Sequence, residues 1–334
     1  MDWRRSRLRW HVSRLARMPI AVTILLAASA TNAVGQSERT YRVGVISVSA
    51  ASVENTRTKT IPFLPKFGFI DNRKIVLIER SGSFEHLPGL MREILAAKPD
   101  VVHAIGGDAI REARLQTDSV PIVIFGPDPV GLGVAESISR PGGNVTGVVI
   151  LPTQLDGKRL QLMYDVVGGK GPIAALLHMR TTNRQPTERA MRTVAADAGF
   201  ELRLFYTVRP EDYAGVFTTM RDAGVGGLAV TAHPEFFRDR KLLMSHAAAI
   251  RLATICEFAE MVTEGCLMSY GPNLDALRER VAYFIARILQ GTSPRELPIE
   301  QPTKFEFIVN LKASRALAIT IPESVLLRAD AVIE

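Results

Sequence analysis

Short apolar runs alternate with stretches of helical spacing along almost the whole chain after residue 40, and this rhythm limits the fold more than any other feature. Tyr41 to Val48, Ile75 to Glu79, Val101 to Ile105, Val120 to Phe125 and Val145 to Leu151 have the length and β-branched content of strands. Between them, Leu87 to Lys98 places Leu87, Leu90, Met91, Ile94 and Leu95 on one helix face and stops at Pro99. Another helical stretch runs from Gly106-Gly107-Asp108 to Leu115. Strands alternating with helices predict parallel βαβ units with helices on both sheet faces.

The rhythm restarts after residue 171. Strands are expected at Pro172 to Leu177, Leu202 to Thr207, Gly227 to Thr231 and Leu252 to Cys256, with helices at Pro186 to Ala198, Glu211 to Asp222 and Arg238 to Arg251. The two sets agree in topology and not residue by residue, so no sequence repeat is assigned. Cys266 to Tyr270 and Phe305 to Asn310 read as further strands, Leu274 to Leu289 and Leu311 to Ala318 as helices. The expected organisation is lobe 1 over 41–151, completed by about 268–300, and lobe 2 over 152–265, completed by about 304–325. Two such lobes leave a cleft between them, a favoured place for a small molecule.

Residues 1–35 have the order of a secretory signal peptide. Six arginines come first, then the apolar run Ile20 to Ala30, then small residues from Thr31 to Gly35. The apolar run is about half of the roughly 20 residues a membrane-spanning helix needs, although a retained anchor stays open. An exported, periplasmic protein is therefore expected. The whole chain has 41 Lys+Arg against 34 Asp+Glu, but the leader supplies six of the bases and one acid. Without it the balance is near neutral, and no nucleic-acid partner is expected. The two cysteines, Cys256 and Cys266, do not make a disulfide-built scaffold. They read as small buried hydrophobes, with pairing open in an oxidising compartment.

Catalytic signatures are missing. There is no Walker-type loop, no G-x-S-x-G elbow, and no His pair at metal-ligand spacing. Gly106-Gly107-Asp108 follows a strand but lacks the third glycine of a dinucleotide fingerprint. No catalytic residue, cofactor or metal is assigned, and the chain is not expected to be an enzyme.

Four strings carry a family resemblance: FGPDPVGLGVAESISRPGGNVTGV (125–148), HPEFFRDR (233–240), CEFAEMVTEGCLMSYGPN (256–273) and QPTKFEFIVNLKASRALAITIP (301–322). With them the chain, from about Tyr41 to its C-terminus, resembles the substrate-binding proteins of ABC importers whose better-known members bind tryptophan or tyrosine. The resemblance implies a type I periplasmic-binding-protein fold: α/β, two Rossmann-like lobes with parallel sheets joined by a three-segment hinge. It implies a monomer that closes around one small ligand and meets an inner-membrane ABC permease. A periplasmic sensor docking on a receptor, or an exported α/β enzyme, are the alternatives.

Ligands of open α/β sheets sit beyond the carboxyl ends of the strands. By that rule and the resemblance, the candidate contacts are Ser47, Ser49, Gly107, Asp108, Asp128, Asn183, His233, Glu257, Phe258 and Tyr270. Gly107 would present backbone N–H groups, Asp128 would accept from an amine, Asn183 and His233 would bond polar groups, and Phe258 or Tyr270 would stack on a ring. Each has a plainer role open to it, such as Asp108 capping a helix, Asp128 forming a turn, or the aromatic rings filling the core. Family members commonly carry Thr or Ser where this chain has Asp108, and an acid there opposes a ligand carboxylate. Pro62 and Pro65 disturb the first helix of the family pattern.

Overall fold

The alternating runs become thirteen strands among the residues that the computed structural model describes, 39–69, 75–150, 152–181 and 184–334. They are β1 (Tyr41–Ser47), β2 (Ile75–Ser81), β3 (Val101–Ile105), β4 (Ile122–Gly126), β5 (Val145–Val149), β6 (Ile173–His178), β7 (Leu202–Thr207), β8 (Gly227–Val230), β9 (Ala253–Cys256), β10 (Met268–Pro272), β11 (Ile299–Glu300), β12 (Phe305–Asn310) and β13 (Ala331–Ile333). The expected signal segment 1–35 and Asn183 lie outside the described residues.

Two sheets form, in the orders β11-β5-β4-β3-β1-β2 and β13-β12-β10-β9-β8-β6-β7. Every pairing in the first is parallel, with Val43 opposite Val101 and Phe125 opposite Val148. In the second, only β10 against β12 is antiparallel. The central strands β3, β5 and β6 are buried along their length, because helices cover both faces, and their sequences are accordingly apolar runs.

The chain passes between the sheets three times: after β5, after β10 and between β11 and β12. This is the expected α/β architecture with two Rossmann-like sheets and a three-segment connection. One boundary differs from expectation. Residues 268–272 do not return to the first sheet, because β10 pairs with β9, Met268 opposite Ile255. The return starts at the helix Leu274–Leu289, which the Asn273 side chain caps by accepting from the Ala276 N–H at 2.6 Å. Its buried face, including Leu277, Val281, Phe284 and Ile285, joins the core beneath the first sheet.

Pro62 and Pro65 change the first helix and do not end it. Ala50–Asn55 is α-helical, Thr56–Thr60 widens into a π turn, and Ile61–Phe67 tightens into a 3-10 helix. Pro62 falls in the first turn of that last piece, where no N–H is needed. Among the described residues no helix is long and apolar enough to cross a membrane.

Cys256 and Cys266 are both buried, and they form a disulfide with Cα atoms 6.4 Å apart. The bond ties the end of β9 to the entry of β10 and pins the loop that begins with Glu257 and Phe258. Closing a loop with a sequence separation of 10 contributes about 2–3 kcal/mol by restricting the unfolded chain. We expect the Cys256→Ser/Cys266→Ser variant to lose about that much in urea unfolding. Addition of reductant should lower the parent's stability to that of the variant and leave the variant unchanged.

Candidate functional site

The ends of β3 and β4 face those of β6, β8 and β9 across one cavity of about 130 Å³. From the first sheet's side it is lined by His103, Gly106, Gly107, Asp108, Phe125 and Gly126, and by Leu274, Arg278 and Val281 of the long helix. From the second it is lined by Asp156, Arg180, Thr231, His233, Phe237, Glu257 and Phe258.

Five of the ten expected contacts lie here: Gly107, Asp108, His233, Glu257 and Phe258. Four others are placed elsewhere. Ser47 Oγ accepts from the Ser49 N–H at 3.2 Å, and Ser49 Oγ caps the helix Ala50–Asn55, so both hydroxyls serve the turn after β1. Asp128 Oδ1 accepts from the Val130 N–H at 3.0 Å, a turn of its own making. The Tyr270 ring packs edge-on against Phe307, 6.2 Å between centroids, within the second sheet's core. Asn183 lies outside the described residues.

The sequence reading did not single out Asp156 and Arg159. Both project from the helix Pro152–Val167 into a buried cluster with Glu257, at 2%, 0% and 2% exposure respectively. Arg159 Nη1 pairs with Asp156, and Nε donates to the Tyr270 carbonyl at 2.8 Å. Arg159 Nη2 stands 3.8 Å from Glu257, too far for a hydrogen bond, and neither Glu257 oxygen has a donor among the described residues.

Two contacts join residues of the two sheets' sides beside the cavity. Arg180, after β6, donates to Glu85 at 2.9 Å and lies 4.2 Å over the Phe84 ring, in the turn before the helix Leu87–Ala96. The Arg180 hydrogen bond holds the Glu85 carboxyl down at about 2. At Gly106, with φ +88°, an added Cβ would stand 2.8 Å from Cγ of Pro234.

His178, His233 and Glu235 converge within 4.8 Å, a grouping that chain spacing did not reveal. The two rings are stacked 3.9 Å apart and 15° from parallel. In-plane nitrogen lone pairs of stacked rings do not meet on one ion, and three of the four ring nitrogens already make protein contacts. His178 Nδ1 accepts from the Arg180 N–H (3.2 Å), its Nε2 faces the Val208 carbonyl (2.9 Å) and Glu235 (2.5 Å), and His233 Nδ1 accepts from the Glu235 N–H (3.3 Å). The cluster is therefore a hydrogen-bonded network of which His233 lines the cavity.

A family model described as ABC transporter substrate binding protein matches residues 66–333. The chain belongs to the ABC transporter substrate-binding protein family. The substrate-binding protein is 20% identical over 297 residues to a tyrosine-binding protein of Clostridioides difficile (strain R20291), covering 87% of this chain and 84% of that one. Its fold matches that of an ABC domain from Streptococcus pneumoniae solved in complex with L-Trp (TM-score 0.79, 23% identity, 88% of this chain and 100% of that one). A conserved domain protein from Vibrio cholerae O1 is similar in fold (TM-score 0.81, 20% identity, 88% and 100% coverage).

Burial dominates the electrostatics of this substrate-binding protein. It pushes the Glu257 carboxyl up to about 8 and that of Asp156 to about 6, the Arg159 charge opposing both. It raises Asp108 too, against the fields of Arg111, Arg180 and His178. It drives His103 down to about 4 and His233 well below its ordinary value, so both rings are neutral at pH 7.

Folded Glu257 therefore keeps a proton that the unfolded chain gives up near the ordinary value of 4.5. Between these two values the unfolded state binds fewer protons, so stability falls as pH rises. We expect the ligand-free protein to lose stability from about pH 6.5, the ordinary histidine value, to 8, with a slope of up to about 1.4 kcal/mol per pH unit. Below that window the buried neutral rings of His103 and His233, which the unfolded chain protonates, offset Glu257 and Asp156. Urea unfolding at several pH values should show a flatter profile for Glu257→Gln, and an unchanged slope would refute the assignment.

Proposed function

We propose that the chain is the solute-binding component of an ABC importer. It is exported to the periplasm, captures one small polar ligand between its two lobes, and delivers it to an inner-membrane permease. No bond is made or broken. The observation that carries this reading is the cavity lined from both sheets, with Arg180–Glu85 and Pro234–Gly106 meeting between the two sides. The basic, apolar, small-residue order of residues 1–35 and the paired cysteines support export to an oxidising compartment.

The mechanism is differential binding. A ligand touching both lobes makes its full set of contacts only when they are together, and so shifts the population toward that state. Glu257, His233 and Phe258 act from one lobe, Asp108 and the start of the helix Gly107–Gln116 from the other. The permease reads the closed arrangement from the rims of both lobes.

A bound solute at 100 times its Kd should stabilise the protein by about 2.7 kcal/mol and raise Tm accordingly. The same solute should reduce the radius of gyration in solution scattering. The protein recovered from a Gram-negative host should be in the periplasmic fraction and lack its first residues by mass spectrometry. A solute that binds without compaction, or a chain retained in the cytoplasm, would count against the reading. Closure also needs Gly106 to be bare, both for its positive φ and for the approach of Pro234. We expect Gly106→Ala to weaken ligand binding by about tenfold or more, since each 1.4 kcal/mol is a factor of ten. Calorimetry on the folded variant checks this, and unchanged affinity would show that Pro234 does not meet Gly106 in the liganded state.

A further inference from the structure

If the solute-binding reading holds, the charges of the cleft narrow the ligand further. Three guanidinium groups stand in or behind the cavity among the described residues, and each already has an ion pair with a carboxylate, although Nη2 of Arg159, 3.8 Å from Glu257, makes no hydrogen bond. Arg180 is held by Glu85 at 2.9 Å, Arg278 by Asp275 at 2.6 Å and Glu260 at 3.3 Å, and Arg159 by Asp156 and the Tyr270 carbonyl. Two carboxylates are not matched. Glu257 is 2% exposed, lines the cavity, and has no hydrogen bond to either oxygen. Asp108 lines the same cavity from the other sheet, and Arg111 and Arg180 act on it through space, without an ion pair among the described residues.

The place of Asp108 matters as much as its charge. It sits in the first turn of the helix Gly107–Gln116, whose free N–H groups would otherwise receive a ligand carboxylate. The Asp108 carboxylate takes that positive end and repels a second anion. His103 adds an acceptor: its Nδ1–H donates to the Val123 carbonyl at 3.0 Å, which leaves a lone pair on Nε2 of the neutral ring. Much of the remaining wall is apolar or aromatic, with Phe125, Phe237 and Phe258.

We infer that the cleft selects an organic amine: a cationic nitrogen on an aromatic or apolar body, without a free carboxylate. The ammonium supplies the donors that Glu257 lacks, and the rings receive the body. The corresponding amino acid would set its carboxylate near Asp108 or Glu257, where a water-poor cleft strengthens like-charge repulsion. Glu257 releases its proton as the ammonium arrives, so the site exchanges one positive charge for another.

The test is titration calorimetry on the purified protein with three matched pairs: tyramine and tyrosine, tryptamine and tryptophan, putrescine and ornithine. At least one amine should bind at least tenfold tighter than its amino acid, releasing about one proton when buffers of different ionisation enthalpy are compared at pH 7. Glu257→Gln, close to isosteric, should weaken that amine at least tenfold and abolish the proton release. Asp108→Asn should narrow the gap between amine and amino acid. An amino acid that binds as tightly as its amine overturns the inference and leaves the solute-binding reading standing. The same holds if none of the three amines binds while another solute raises Tm. If no solute of any class binds, both readings fail.

Discussion

A fully buried guanidinium organises this molecule. Arg159 must find partners for a charge that cannot reach water, and it finds them in two segments, Asp156 on its own helix and the Tyr270 carbonyl on β10, with the Glu257 side chain 3.8 Å away after β9. Taking one partner from a buried pair costs about 3–5 kcal/mol, because the remaining charge is left unsolvated. That penalty fixes the helix after the first crossover against the strand before the second. It also sets Glu257 in the cavity wall with a cation behind it. The disulfide between Cys256 and Cys266 then brackets the loop that begins with Glu257.

Apolar packing does a different task at the same place. Phe258, after β9, and Phe237, in the short helix Pro234–Arg238 after β8, come from the second sheet's side, yet they pack with the cluster formed by Val45, Ile105, Val281 and Phe284 beneath the first. Their rings meet edge to face at 5.6 Å. Burial of these rings favours the closed arrangement without directional bonds, whereas Arg180 on Phe84 and Glu85 supplies an exposed and therefore weak contact at the rim. Closure thus rests on apolar area near the hinge and on fit at Gly106, with little from the surface ion pair.

The fold was legible in the chain because its strands are covered on both faces. β1, β3, β6 and β12 are continuous apolar or half-apolar runs, and the helix Leu274–Leu289 carries its own cap and stripe. What escaped has physical reasons. The helix Pro152–Val167 puts Asp156 and Arg159 on its buried side and Gly157 between them, which breaks the apolar stripe that marks a helix. The strands β11 and β13, two and three residues long, have no period to read. The strand-end rule led to the loops around the cavity, and five of the ten expected residues line it. It cannot say which side chains turn to solve a local backbone problem, as Ser47, Ser49 and Asp128 do. Arg278 and Asp156 were missed because they come from helices, and the pairing of His178 with His233 because only the tertiary fold brings them together.

The strongly raised carboxyl of Glu257 has a consequence for how an empty cleft behaves. A buried carboxylate with no donor would oppose closure, since bringing the walls together removes its water. A protonated one does not carry that charge, so the unliganded protein can sample the closed arrangement at neutral pH. A neutral solute gains nothing from this acid beyond a hydrogen bond. A cation does more: it displaces the proton and converts a neutral wall into one half of a desolvated ion pair, where attraction is several times stronger than in water. On the proposed binding of an amine, proton and ligand compete for one position, and discrimination by charge follows from the same burial that keeps the empty site closable.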